Sequence, residues 1–197
     1  MAVPTKLQAM PRKGLEDSGF AWLFESTFLN QLDSNDQAKL LTLMTWRMYG
    51  KDAVLVVAGN KSEGMTLIVE GEAQVVIPAG HQGDTLFSRF AMRTEGGDSV
   101  VAKLAPGHVF GERSLRKNTA TNATVKALSP MRALHLATTD FNRAVAEMPA
   151  FRDYIDGLVE MRDQAATITD LLLRHPFLRQ LGRDDIQRFC EAGKLVR

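Results

Sequence analysis

The sequence predicts a mainly β domain, a sandwich or barrel, with helices packed at both ends. Two observations carry this. Between Trp46 and Leu136, short apolar runs recur, and Gly or Asn marks most gaps, at Gly50, Gly59-Asn60, Gly71 and Gly107. Several short strands at such spacing build two packed sheets or a closed roll. Before and after that region, apolar residues fall instead at helical spacing. The chain is large enough for this architecture. Its 197 residues, 45% hydrophobic and 24% charged, suffice to bury a true core, since roughly 70% of the unfolded surface can be hidden at this size.

Taken in order, residues 1–18 read as a flexible arm rich in Pro, Lys, Arg and Gly. Residues 20–44 read as helical. Phe20, Leu23, Phe24, Phe28 and Leu32 make one apolar face, and Leu40, Leu41 and Met44 another. Between them, Asp33-Ser34-Asn35-Asp36 is a helix-breaking N-cap cluster. Strands are expected at Trp46–Tyr49, Ala53–Val57, Met65–Val69, Ala73–Ile77, Val100–Leu104, Ala123–Leu128 and Arg132–Leu136. Residues 78–99 form a long polar connection with solvated Arg89 and Arg93. Connections of that length are functional, inserted or mobile.

Thr138-Thr139-Asp140 offers a helix start ahead of Phe141–Met148. Pro149 then opens a second, longer helix as a first-turn proline. Along it Phe151, Tyr154, Leu158, Met161, Ala165, Ile168 and Leu172 alternate by three and four, a heptad seam. Two readings of the seam stay open. It packs on the chain's own barrel, or it pairs with a second copy through the helix at 150–173. Beyond it, Phe177-Leu178-Arg179-Gln180-Leu181 echoes Phe28-Leu29-Asn30-Gln31-Leu32, and Asp185 echoes Asp36. Residues 19–173 therefore read as one domain. Residues 174–197 read as a linker helix or the start of a truncated second copy of a tandem pair.

Several functions are excluded. His81, His108, His135 and His175 have no Cys, His or acidic partner at metal-ligand spacing. Neither a nucleophile elbow, a P-loop nor a dinucleotide fingerprint is present, so no enzyme and no cofactor is expected. The net charge of +1 gives no global field for nucleic acid. No recognition helix follows the long helix. The lone Cys190 fits a reducing compartment. With no secretory signal and no apolar stretch able to span a bilayer, the expected location is cytoplasmic, without direct membrane insertion.

One stretch carries chemistry: Gly107-His108-Val109-Phe110-Gly111-Glu112-Arg113-Ser114-Leu115, followed by Thr121-Asn122-Ala123-Thr124-Val125. Gly111 permits close backbone approach. A one-turn helix from Glu112 aims the N–H groups of Arg113, Ser114 and Leu115 at one point, an anion-binding nest. Glu112, acceptor-only when ionised, suits a sugar hydroxyl. Together these are the chemistry of a nucleotide with a free 2′-OH.

Here the chain resembles the cyclic nucleotide-binding domain family. That family includes the regulatory subunits of cAMP-dependent protein kinase, cyclic nucleotide-gated channels and catabolite activator proteins. Phe28 with its downstream leucine, the Gly59 turn, Ile68-Val69-Glu70-Gly71-Glu72-Ala73 and Phe110-Gly111-Glu112 fall in family order over roughly residues 20–173. The resemblance implies a double-stranded β-helix, or jelly roll, with N-terminal helices and two C-terminal helices. It implies cAMP or cGMP as ligand, touching Phe110, Gly111, Glu112, Arg113, Ser114, Leu115, Thr121, Asn122 and Ala123. It further implies that the trailing helix covers the base and passes its movement to a second tandem domain, a fused effector or a partner chain.

One departure stands out: the family's phosphate-binding arginine falls at Thr121. A charge-assisted Arg–phosphate pair is strong, and its loss costs roughly 2–5 kcal/mol. Thr121 and Asn122 offer only neutral donors. Arg113, Arg116 and Lys117 are either solvated loop cations or able to swing in. The alternative reading is a degenerate domain with weak or no nucleotide binding that serves dimerisation or scaffolding.

Overall fold

The computed structural model describes residues 7–8, 15, 19–78, 92–93 and 97–174. Two five-stranded antiparallel sheets face one another. The first runs β1 (Leu7–Gln8), β2 (Met44–Tyr49), β10 (Met131–Ala137), β4 (Gly64–Glu70), β8 (Val109–Phe110). The second runs β3 (Val54–Val56), β9 (Thr124–Ala127), β5 (Ala73–Ile77), β7 (Ser99–Leu104), β6 (Met92–Arg93). The predicted roll with flanking helices is the architecture found.

Strand β4 shows why the core sits where it does. Side chains alternate across a strand, so Met65, Leu67 and Val69 face a cluster shared with the helices, while Ile68 faces the roll interior with Phe110, Ala73 and Val125. Both faces are covered, which is why this strand is a nearly continuous apolar run. In the next strand of the sheet, Leu134 pairs with Leu67 on one side and with Trp46 on the other.

Helices pack on the outer face of the first sheet. They are α1 (Leu23–Ser26), a 3₁₀ turn (Phe28–Gln31), α2 (Ser34–Leu43), α4 (Thr138–Glu147) and α5 (Pro149–Arg174); α3 (Glu112–Lys117) lies within the strand region. Asp33 caps α2 as expected, its Oδ1 accepting from the Asp36 N–H at 2.8 Å. Aromatic contacts tie the trailing helices to the 3₁₀ turn and to each other. Phe28 stacks on Tyr154 with ring centroids 5.0 Å apart, and Phe151 meets Phe141 edge-on at 5.9 Å.

Three expectations are corrected and one is met. Residues 20–44 are not evenly helical: Thr27 is extended (φ −120°, ψ −179°), and its hydroxyl donates to the Leu23 carbonyl at 2.6 Å while accepting from the Leu29 N–H. The arm is anchored where it is described. Leu7–Gln8 pairs with Trp46 and Thr45, and Leu15 is fully buried. Thr138-Thr139-Asp140 opens α4 as expected, with Ala137 as the N-cap and the Thr138 hydroxyl donating to the Ser62 carbonyl. Finally, Arg93 lies in strand β6 rather than in an irregular connection, while Arg89 falls outside the described residues.

The seam of α5 divides. Phe151, Ile155 and Val159 are buried in the chain's own core, Tyr154 and Leu158 pack against it, and Met161 is 54% exposed. Ala165, Ile168 and Leu172 lie outside the residues whose side chains are described, as does the echo at 177–181.

Candidate functional site

Strand β8 ends at a sharp corner. Phe110 pairs with Thr66 of β4 and turns its ring into the roll. Gly111 follows in the left-handed region (φ +91°), where a Cβ would lie 2.4 Å from the Gly64 carbonyl oxygen. Only glycine fits both the dihedral and the contact. The corner starts α3 at once and puts Glu112 in its first turn, with a side chain only 1% exposed.

Glu112 is the centre of the site. One carboxylate oxygen accepts from Arg162 of α5, whose second terminal nitrogen donates to the Val109 carbonyl at 2.9 Å. The other oxygen, Oε2, is buried and has no hydrogen-bond partner. An unpaired buried acceptor is costly, so this atom calls for a donor.

The rest of α3 is clasped to α5. Arg113 donates to Asp163 Oδ1 at 2.8 Å, and Lys117 pairs with the other oxygen of Asp163. Arg116 holds Asp156 through two bonds, one of them 3.0 Å long. Asp156 and Asp163 are seven residues apart and therefore share one face of the helix. The hydrogen bond from Lys117, with Arg113 beside it, holds the Asp163 carboxyl below the ordinary carboxylate range. The Arg116 bond does the same for Asp156. Burial pushes the Tyr154 phenol upward.

The hydroxyls nearby are occupied. Ser114 Oγ donates to the Gly111 carbonyl at 3.2 Å, and Ser62 Oγ donates to the Gly64 and Gly111 carbonyls. Thr121 is buried, with its hydroxyl donating to the carbonyls of Val57 at 2.7 Å and Asn60 at 3.1 Å. Its own N–H donates to Asn60, and its carbonyl accepts from Gly59. Thr121 is thus a staple for the 57–60 turn.

The structure brings Phe110, Gly111, Glu112, Arg113 and Ser114 together around the start of α3. Leu115 packs toward the helical core, and its N–H is taken up by the Gly111 carbonyl at 3.5 Å. Asn122 is exposed and Ala123 half-buried. The cations Arg113, Arg116 and Lys117 are neither free in solvent nor swung toward Thr121; they are bound to α5. Sequence reasoning missed Arg162, Asp156 and Asp163. Their one signal was the seven-residue spacing of the aspartates beside the apolar seam. Among the described residues no cluster of His, Cys, Asp and Glu could hold a metal ion, and no helix is long and apolar enough to cross a membrane.

Comparison with known proteins agrees with this fold. The family model described as cyclic nucleotide-binding domain matches residues 46–148, just over half of the chain. The cAMP-dependent protein kinase regulatory subunit of Mycosarcoma maydis is 27% identical over 106 residues, covering 54% of this chain and 17% of that protein. The regulatory domain of Toxoplasma gondii PKA, solved with cAMP, superposes with a TM-score of 0.59 at 20% identity, covering 76% of this chain and 50% of the other. The regulatory subunit of a cAMP-independent protein kinase A from Trypanosoma cruzi, bound to guanosine, gives 0.53 at 19%, covering 74% and 50%. The two structural likenesses show the fold. The chain spans 28% or less of the length of the curated relatives it matches. The family model spans more than half of the chain, the corner glycine and buried glutamate included, and this chain belongs to the cyclic nucleotide-binding domain family.

Proposed function

We propose that this chain is a non-catalytic regulatory sensor domain that couples a ribose-bearing ligand to movement of α5. The observation that carries the reading is the division of one carboxylate. Arg162 holds one oxygen of buried Glu112, and the other, equally buried, has no partner and calls for a hydroxyl donor. Ligand and helix therefore meet on the same group, and a ligand that binds two helix positions unequally shifts their balance. A coupling of about 1–3 kcal/mol suffices. Cyclic AMP and cyclic GMP are the ligands the family implies; the Toxoplasma gondii relative was solved with cAMP and the Trypanosoma cruzi one with guanosine.

The same reading makes residues 19–173 the sensing unit, placed in the cytoplasm. Its output passes to a following tandem copy begun at 174–197, to a fused effector, or to a second chain met by the outer part of the α5 seam. The test is hydrogen exchange across α5 with cAMP, cGMP, adenosine and guanosine each titrated to millimolar concentration. A ligand-dependent change in protection of Pro149–Arg174 is the expected result. No binding by any of the four overturns the reading and leaves the degenerate, scaffolding alternative.

A further inference from the structure

The sensor reading leaves the chemical class of the ligand open, and the hydrogen-bond accounts around Glu112 narrow it. We infer that the pocket takes an uncharged nucleoside in preference to its cyclic phosphate; this rests on the sensor reading. Three observations lead there.

The group still available is an acceptor: Glu112 Oε2 is buried, without a partner, on a side chain 1% exposed. An ionised carboxylate oxygen accepts from a sugar hydroxyl and repels a phosphate. The side-chain hydroxyls beside it are already used. The protons of Ser62, Ser114 and Thr121 all go to backbone carbonyls of the same corner and turn. The cations beside it are used as well. Arg162 is committed to Glu112 and Val109, Arg116 to Asp156, and Arg113 and Lys117 to Asp163. An anion entering here finds the uncapped N–H groups at the start of α3 but a buried carboxylate and no uncommitted cation beside them, so to be neutralised it must draw a cation away from an existing partner. A ribose with free hydroxyls needs no such exchange. The remaining described cation on the neighbouring turn is Lys61, which is exposed and sits in solvent next to the carbonyls that hold Thr121.

The experiment is calorimetry of the whole chain with guanosine and adenosine, each against its own 3′,5′-cyclic phosphate at matched ionic strength. The nucleoside is expected to bind at least roughly tenfold tighter, about 1.4 kcal/mol. Adding salt should leave that binding nearly unchanged, because no net charge enters. Glu112→Gln should weaken nucleoside binding, with retained folding checked by circular dichroism. Equal or tighter binding of the cyclic phosphate overturns the inference while keeping the sensor reading, and loss of that binding in Lys61→Ala would identify the cation responsible. Binding by neither class removes the sensor reading with it.

Discussion

Arg162 and Glu112 form an ion pair between a helix and the strand corner fifty residues earlier, and they are buried unequally: the arginine side chain is 34% exposed and the carboxylate 1%. That inequality decides what removal of the arginine does. An ion losing its partner in the interior is destabilising, whereas a neutral substitute for both is tolerated. Arg162→Ala is therefore expected to lower unfolding free energy by about 1–3 kcal/mol, discounted for the exposed partner. The double variant Glu112→Gln/Arg162→Ala should recover more than half of it. Urea titration of the four proteins measures this, and a double variant as unstable as the single one would deny that the stranded charge is the cause.

Gly111 and Gly19 share a positive φ, +91° and +84°, but only Gly111 has a neighbour where a Cβ would stand. Gly19→Ala is expected to cost about 1 kcal/mol of backbone strain, and Gly111→Ala at least about 2 kcal/mol more, since the Gly64 carbonyl must move. Thermal unfolding of both variants makes the comparison. Equal costs would remove the close approach from the account of the corner.

The α3–α5 clasp has a defined pH response. Asp156 and Asp163 are both held below their ordinary value of 3.8. A folded-state pKa lowered in this way contributes stability above the unfolded value, and that contribution is lost as pH falls through the folded one. The clasp should thus be indifferent to pH between about 5 and 8 and open only below about 4. Exchange protection of Glu112–Lys117 against pH tests it; a loss of protection centred near pH 6 would point to a different titrating group.

Gly157 lies inside α5 with open space where a Cβ would be. Gly157→Ala is expected to stabilise the chain by about 0.5–1 kcal/mol through helix propensity. If ligand bends the helix there, the same variant should mute the ligand-dependent exchange change. A lower melting temperature would mean that the alanine meets something on this face.

The sequence made the strands legible because punctuation and period agreed: Ala73–Ile77 was read with its observed bounds, and β4 was one residue short at each end. Two of the two-residue strands, Leu7–Gln8 and Met92–Arg93, were not legible, since they exist through the partners they meet and have no period of their own. The corner at Gly111 with Glu112 behind it was readable from local chemistry. The other half of the site was not. Arg162, Asp156 and Asp163 read as the polar side of an amphipathic helix, and only the tertiary fold sets that side against α3.

Helix α5 runs 26 residues without a break, which makes a rod of about 39 Å. Its first turns are wedged among aromatic rings and its middle is tethered by charge. A rod held this way amplifies. A swing of about 10° about the wedged end carries the tip through roughly 7 Å on that length, more than a full helical turn of travel from a change smaller than a side chain at the pivot.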